Sequence, residues 1–190
     1  MDRRSSAALP VRAHPLTFGV ILFLASDAMF FAALFAAYYA LRSIDSPWPP
    51  SGVRLDVGGS TIGTAMLGAS DFMLVLSSRA LGRQRFRAAR RSLLAAIALG
   101  VAFLVVAVNG WLHATFTIAS HAYGSLFYTM TGIHALHVAV GIVLLSGLAI
   151  GVHRPAFTAA NRAGAQAIGA YWHFVFVVWL FIWGSIYWIR

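Results

Sequence analysis

Five long apolar runs order this chain, spanning residues 16–41, 60–81, 93–113, 127–152 and 169–189. Crossing the hydrocarbon core of a bilayer takes about 20 residues of helix, and each run is long enough. Backbone polar groups inside lipid must be satisfied within the segment, so each run predicts a helix. Alternation with period two, the mark of a membrane β-barrel, is absent. The expected fold is therefore all-α: an integral membrane bundle of five transmembrane helices, preceded by an N-terminal segment, residues 1–15. Pro15 opens the first run and Arg42 closes it. That run is too long for a signal-peptide core and carries Asp27 at its middle, so it reads as a retained helix.

Charge sharpens the picture. The chain is 60% hydrophobic and only 10% charged, too little charge to cover a soluble domain. All 14 basic residues are arginine and all five acids are aspartate, giving a net charge of +9. The arginines sit between apolar runs, which suits an anionic membrane surface and argues against a nucleic-acid partner. Eleven fall on one side: Arg3, Arg4 and Arg12, then Arg79 to Arg91 around the second loop, then Arg154 and Arg162. Arg42, Arg54 and Arg190 fall on the other. The excess of positive charge marks the cytoplasmic side. The expected placement is a bacterial-type cell membrane, with the N-terminus cytoplasmic and the C-terminus outside.

Small residues suggest how the helices approach one another. Ala28, Ala32, Ala36 and Ala40 form a stripe on the first helix, and Gly147 and Gly151 form a GxxxG step on the fourth. Such surfaces let helices pack closely, and packing within this one chain is the expected use.

Few side chains can carry chemistry. With no cysteine, thiolate metal sites and iron–sulfur clusters are excluded. No nucleotide-binding motif and no nucleophile–base constellation is visible. Asp27 and Asp71 each lie about 11 residues into a helix, near the bilayer midplane, where a bare charge costs several kcal/mol. Each should be protonated, paired or facing water. For Asp27 the expectation is proton handling or a specific polar contact. Asp71 lies among Ser70, Ser77 and Ser78, which can simply hydrogen-bond it. His134 and His137 share one helix face, about 60° apart. They make a poor metal site, and can instead satisfy polar groups between helices or pair with an aspartate of another helix. His173 follows Tyr171 and Trp172 at the start of the fifth run, where aromatic residues commonly anchor a helix at the membrane boundary.

Three stretches together are similar to a known family. Phe23-Leu24-Ala25-Ser26-Asp27-Ala28-Met29-Phe30-Phe31 resembles the first common helix of subunit III of the haem–copper oxidases. Tyr123 to Tyr128, running into Thr131-Gly132-Ile133-His134-Ala135-Leu136-His137 and on to Gly141, resembles that family's most distinctive stretch. Tyr171-Trp172-His173-Phe174-Val175 and the residues after it resemble its last helix. The family-motif polar positions are thus Asp27, His134, His137, Trp172 and His173, with Asp71 as an additional buried carboxylate. The resemblance is to the short, five-helix form. It implies a V-shaped bundle whose cleft holds phospholipid, docking against subunit I, and subunit II in the same complex. It implies haem and copper in those partners and no redox centre, metal or cofactor in this chain. The expected role is non-catalytic support of the stability and proton uptake of a proton-pumping terminal oxidase, whose electron donor, cytochrome c or quinol, binds elsewhere.

The chain departs from the family's pattern in four places. Asp27 stands where the family usually has glutamate, and Phe176 where it often has aspartate. Gly110 aligns with a usual glutamate of the third helix, and Asp71 is an addition. An aspartate in the first motif is also similar to the subunit-III-like accessory proteins of nitric oxide reductases, a close alternative. A b-type haem anchor reacting with quinone, ligated by histidines of the fourth and fifth helices, is the alternative of another class.

Overall fold

The computed structural model describes residues 15–45, 47–152 and 159–189, with side chains from residue 18 and, in the last helix, from residue 163. The N-terminal segment with Arg3, Arg4 and Arg12, and Arg154, the side chain of Arg162 and Arg190, lie outside the described residues. Five helices follow one another: α1 (Pro15–Ile44), α2 (Val57–Gly82), α3 (Phe86–Leu112), α4 (Ala122–Gly151) and α5 (Ala159–Trp183). A π-helical turn, Gly184–Trp188, follows α5. No strand occurs among the described residues. All five helices are long and apolar enough to cross a membrane, and the protein is a multi-pass membrane protein.

The helices overrun the apolar runs, mostly at their starts. Hydrophobicity reports where lipid begins, whereas local capping and propensity decide where a helix begins. Asp56 caps α2, its Oδ1 accepting from the Gly59 N–H at 2.8 Å. His121 caps α4 in the same way, its Nδ1 accepting from the Gly124 N–H at 2.8 Å. The arginines and alanines of 86–91 and 159–163 are good helix formers, so α3 and α5 start well ahead of Leu93 and Gly169.

Helices α2 to α5 form a ring. α2 packs on α3, α3 on α4, α4 on α5, and α5 returns to α2. α1 leans on the outside, against α4 and α5. The tightest pair is α2–α3. Gly63, Leu67, Ser70, Leu74 and Ser77 form a buried stripe on α2, facing the buried Ala89, Leu93, Ala96 and Phe103 of α3. Two hydroxyls stitch the pair: Ser70 donates to the Ala96 carbonyl at 2.7 Å and Ser77 to the Ala89 carbonyl at 3.1 Å.

The expected packing devices are not the ones used. Ala28, Ala32, Ala36 and Ala40 are all exposed. α1 meets the bundle through Asp27, Phe31, Leu34 and Tyr38 instead, because burying two large rings removes more surface than burying methyl groups. Gly147 and Gly151 have open space beside them. The close approach is elsewhere. Trp172 of α5 is fully buried against Gly100 of α3 and Gly141 of α4. A Cβ at Gly141 would stand 2.5 Å from two indole carbons. Trp172 is therefore not a boundary anchor. Since α5 begins at Ala159, the Tyr171-Trp172-His173 triplet falls at mid-helix and turns into the bundle.

Candidate functional site

Two aspartate–histidine pairs join helices that are distant in sequence. In the first, Asp27 of α1 meets His137 of α4, Oδ1 to Nε2 at 3.1 Å. Both side chains are largely buried. The other ring nitrogen, Nδ1, lies 2.8 Å from the Ile133 carbonyl one turn earlier. A carbonyl oxygen only accepts, so Nδ1 carries a proton. Nε2 then either accepts from a protonated Asp27 or donates, as imidazolium, to the carboxylate. In both states one proton lies on the Asp27–His137 axis and the pair is neutral overall. The midplane acid thus finds its partner in a neighbouring helix. Asp27 Oδ2 is buried with no hydrogen-bond partner among the described residues.

Aromatic side chains hold the pair in place. Phe31 of α1 packs edge-on against the His137 ring at 5.4 Å. Tyr171 of α5 stacks on the same ring at 6.5 Å, and its hydroxyl donates to the His137 carbonyl at 3.0 Å. Three helices therefore converge here: α1 brings the acid, α4 the imidazole and α5 the tyrosine. For Tyr171, outside its motif, the sequence reading predicts only a boundary anchor, which its mid-helix position corrects. The contact that gives it a further role spans 34 residues.

The second pair joins Asp71 of α2 to His173 of α5, Oδ1 to Nδ1 at 2.5 Å. It is less enclosed: the His173 side chain is 44% exposed and that of Asp71 17%. The serines beside Asp71 are engaged elsewhere. Ser70 and Ser77 bond to α3, and Ser78 donates to the Leu74 carbonyl at 3.1 Å. The expectation that they would hold Asp71 is therefore corrected. A helical serine reaches backbone carbonyls more readily than a side chain next to it in sequence, which projects from another face. Phe176, one turn beyond His173, lies against Gly68, one turn before Asp71.

His134 behaves differently from its neighbour. It is fully buried, stacked on Trp179 at 5.0 Å and edge-on to Phe103 at 5.8 Å. Neither ring nitrogen has a hydrogen-bond partner among the described residues. Burial holds its pairing to aromatic faces. Trp179 in turn donates from Nε1 to Thr64 Oγ1 of α2 at 2.8 Å. Trp179, Thr64, Phe103 and Gly141 escaped the sequence reading. Two of them, Trp179 and Gly141, lie in or at the end of stretches already singled out, which was the available signal.

The histidines are thus committed to different partners. His137 uses both ring nitrogens, His173 is tied to Asp71 and His134 is wedged between rings. Axial haem ligation needs a reachable imidazole nitrogen on each of two facing helices; on α4 both nitrogens of His137 are engaged, and those of His134 are fully buried between Trp179 and Phe103, which speaks against the haem-anchor alternative. Among the described residues, no three metal-capable side chains come together. A small cavity of about 40 Å³ lies near the ends of α2 and α3, lined by Ser60, Gly63, Phe103, Gly110, Thr131 and Trp179 among others. It has room for a few water molecules at most.

An arrangement of this kind, with an aspartate of α1 bonded to a histidine of α4, invites comparison with known proteins. The family model for cytochrome c oxidase subunit III matches residues 6–190. A cytochrome c oxidase subunit 3 from Thermostichus vulcanus is 33% identical over 170 residues, covering 89% of this chain and 85% of that protein. The subunit 3 of Latimeria chalumnae is 36% identical over 187 residues, covering 95% of this chain and 71% of that one. That of Hippopotamus amphibius is 35% identical over 188 residues, covering 94% and 71%. With the whole bundle matched and the three motif stretches on its first, fourth and fifth helices, the chain belongs to the subunit III family of the haem–copper oxidases.

Proposed function

We propose that the chain serves as the non-catalytic third subunit of a proton-pumping terminal oxidase, docked against subunit I with subunit II in the same complex. In this reading haem and copper reside in the partners, and the electron donor binds there too. The chain spans a bacterial-type cell membrane with its N-terminus cytoplasmic. The Asp27–His137 pair supports proton uptake by holding one proton at mid-membrane. The observation that carries this is the pair itself: a midplane acid on the first helix, met by an imidazole whose other nitrogen is already fixed. A cleft for phospholipid belongs to the same reading.

Affinity purification of the tagged chain from gently solubilised membranes tests the assignment. A subunit carrying haem and copper should accompany it. Recovery of the chain alone, or with a nitric oxide reductase, overturns it. For the pair, Asp27→Asn should assemble at normal yield while slowing proton uptake during turnover. Loss of assembly would mark Asp27 as structural.

A further inference from the structure

The least balanced charge in the molecule lies where α2 turns into α3. Arg79 and Arg83 close α2, and Arg85, Arg87, Arg90 and Arg91 open α3. Three residues make the turn. Gln84 adopts a left-handed conformation with φ 58°, and Arg83, Gln84 and Arg85 donate their N–H groups back to carbonyls of the last turn of α2. The arginines are therefore set on a fixed backbone. All six are exposed, and among the described residues none of their guanidinium groups makes an ion pair.

The described residues offer little to offset them. Asp27 and Asp71 are paired with histidines, and Asp45 and Asp56 lie at the opposite ends of α1 and α2. Their placement also opposes α3. A helix N-terminus carries a partial positive charge and favours acids, yet the first turn of α3 has none and its cap, Arg85, makes no side-chain hydrogen bond. Arg87 and Arg91 repel across one turn, as do Arg87 and Arg90. An anion from outside the chain would relieve all of these at once.

Position identifies the anion. Arg85, Arg87 and Arg91 line an open groove with Gln84, Phe86, Ala88 and Ser92. The groove sits where two membrane spans, Val57–Gly82 and Phe86–Leu112, meet the boundary. Lipid phosphates occupy that level. Farther along α3, on the lipid side, Leu94 and Val101 are exposed apolar residues. Cations at the boundary with apolar surface running inward from them match a phosphate and the acyl chains attached to it. A soluble acidic protein or a free phosphate would use only the cations. We propose that this groove binds the headgroup of an anionic phospholipid, with the phosphate on Arg85, Arg87 and Arg91 and an acyl chain along α3. The inference needs only that the chain spans a membrane, and stands independently of the oxidase reading.

Native mass spectrometry of the purified full chain in detergent tests it, by titration with phosphatidylglycerol and, in parallel, phosphatidylcholine. The chain should retain phosphatidylglycerol at least about tenfold more tightly, from roughly 1 kcal/mol per arginine near the surface. The combined variant Arg85→Gln, Arg87→Gln, Arg91→Gln should abolish that preference, and Arg54→Gln, at the other boundary, should leave it intact. Circular dichroism checks that the variants remain helical. If the combined variant does not fold, Arg87→Gln and Arg91→Gln taken singly should each weaken the preference by about fivefold. Equal retention of the two lipids overturns the proposal, as does a preference that survives the substitutions. Displacement of the lipid by an equal concentration of glycerol 3-phosphate would reassign the groove to free phosphate. Loss of a co-purifying protein with the lipid preference unchanged would reassign it to a protein partner.

Discussion

Replacing Gly141 by alanine puts the packing of the bundle to its most direct test. The added methyl would stand 2.5 Å from Cε3 and Cζ3 of Trp172 and 3.3 Å from Cε1 of Tyr171. Ordinary contact begins near 3.4 Å, so the indole must retreat by about 0.9 Å. It has little freedom to do so, because it is fully buried and its far edge already lies close against Gly100. The alternative is for α5 to move away from α4, which loosens the Tyr171–His137 hydrogen bond. Overpacking of this kind costs about 3 kcal/mol, at the upper end of its usual range. Alanine returns up to about 1 kcal/mol through helix propensity, leaving a net loss of about 2 kcal/mol. Gly147→Ala is the matched control. It lies on the same helix with open space beside it, so it keeps the propensity gain alone. Unfolding of both variants in detergent, titrated with sodium dodecyl sulfate and followed by circular dichroism, should separate them by about 3 kcal/mol, with Gly141→Ala the weaker. If Gly141→Ala is as stable as Gly147→Ala, Trp172 is not wedged as described and the packing account fails.

The α2–α3 stitches predict a smaller effect: Ser70→Ala with Ser77→Ala should lower stability in the same assay by about 1 kcal/mol, from roughly 0.6 kcal/mol per membrane hydrogen bond. No change would mean that shape alone holds that pair. For the second aspartate–histidine pair, a double-mutant cycle of Asp71→Asn and His173→Phe should give a coupling of about 1 kcal/mol. Additive effects would show that the two groups do not interact.

The membrane spans were legible because lipid imposes one strong rule, a length of continuous apolar chain. Helix starts were not, since arginine- and alanine-rich turns extend α3 and α5 beyond the lipid without leaving a hydrophobic signal. That single blind spot displaced Trp172 and His173 from mid-helix to a supposed boundary. Asp27 and His137 could be marked as polar residues in need of partners, and pairing between helices was foreseen in kind. The particular partner of Asp71 was not, because it lies 102 residues away and no local pattern encodes such a distance. The alanine stripe misled for a related reason. Smooth surfaces permit close packing, but which face turns inward depends on where Phe31 and Tyr38 find burial. The missing acid at Phe176 and the added Asp71 also acquire a common setting, since both lie at the α2–α5 contact, one turn apart.

The outer position of α1 bears on how the protein is made. Among the described residues, the long-range hydrogen-bond partners of α1 all arrive late: Asp27 bonds His137, 110 residues on, Tyr38 and Tyr39 bond Ser185, and Arg42 donates to the Ile189 carbonyl, 147 residues on. At about 5 to 20 residues per second, the ribosome needs roughly 5 to 20 seconds to deliver His137 after Asp27. Through that interval the acid of the first helix is without its imidazole, and the Asp27–His137 pair that joins α1 to the bundle can close only when the fourth helix inserts.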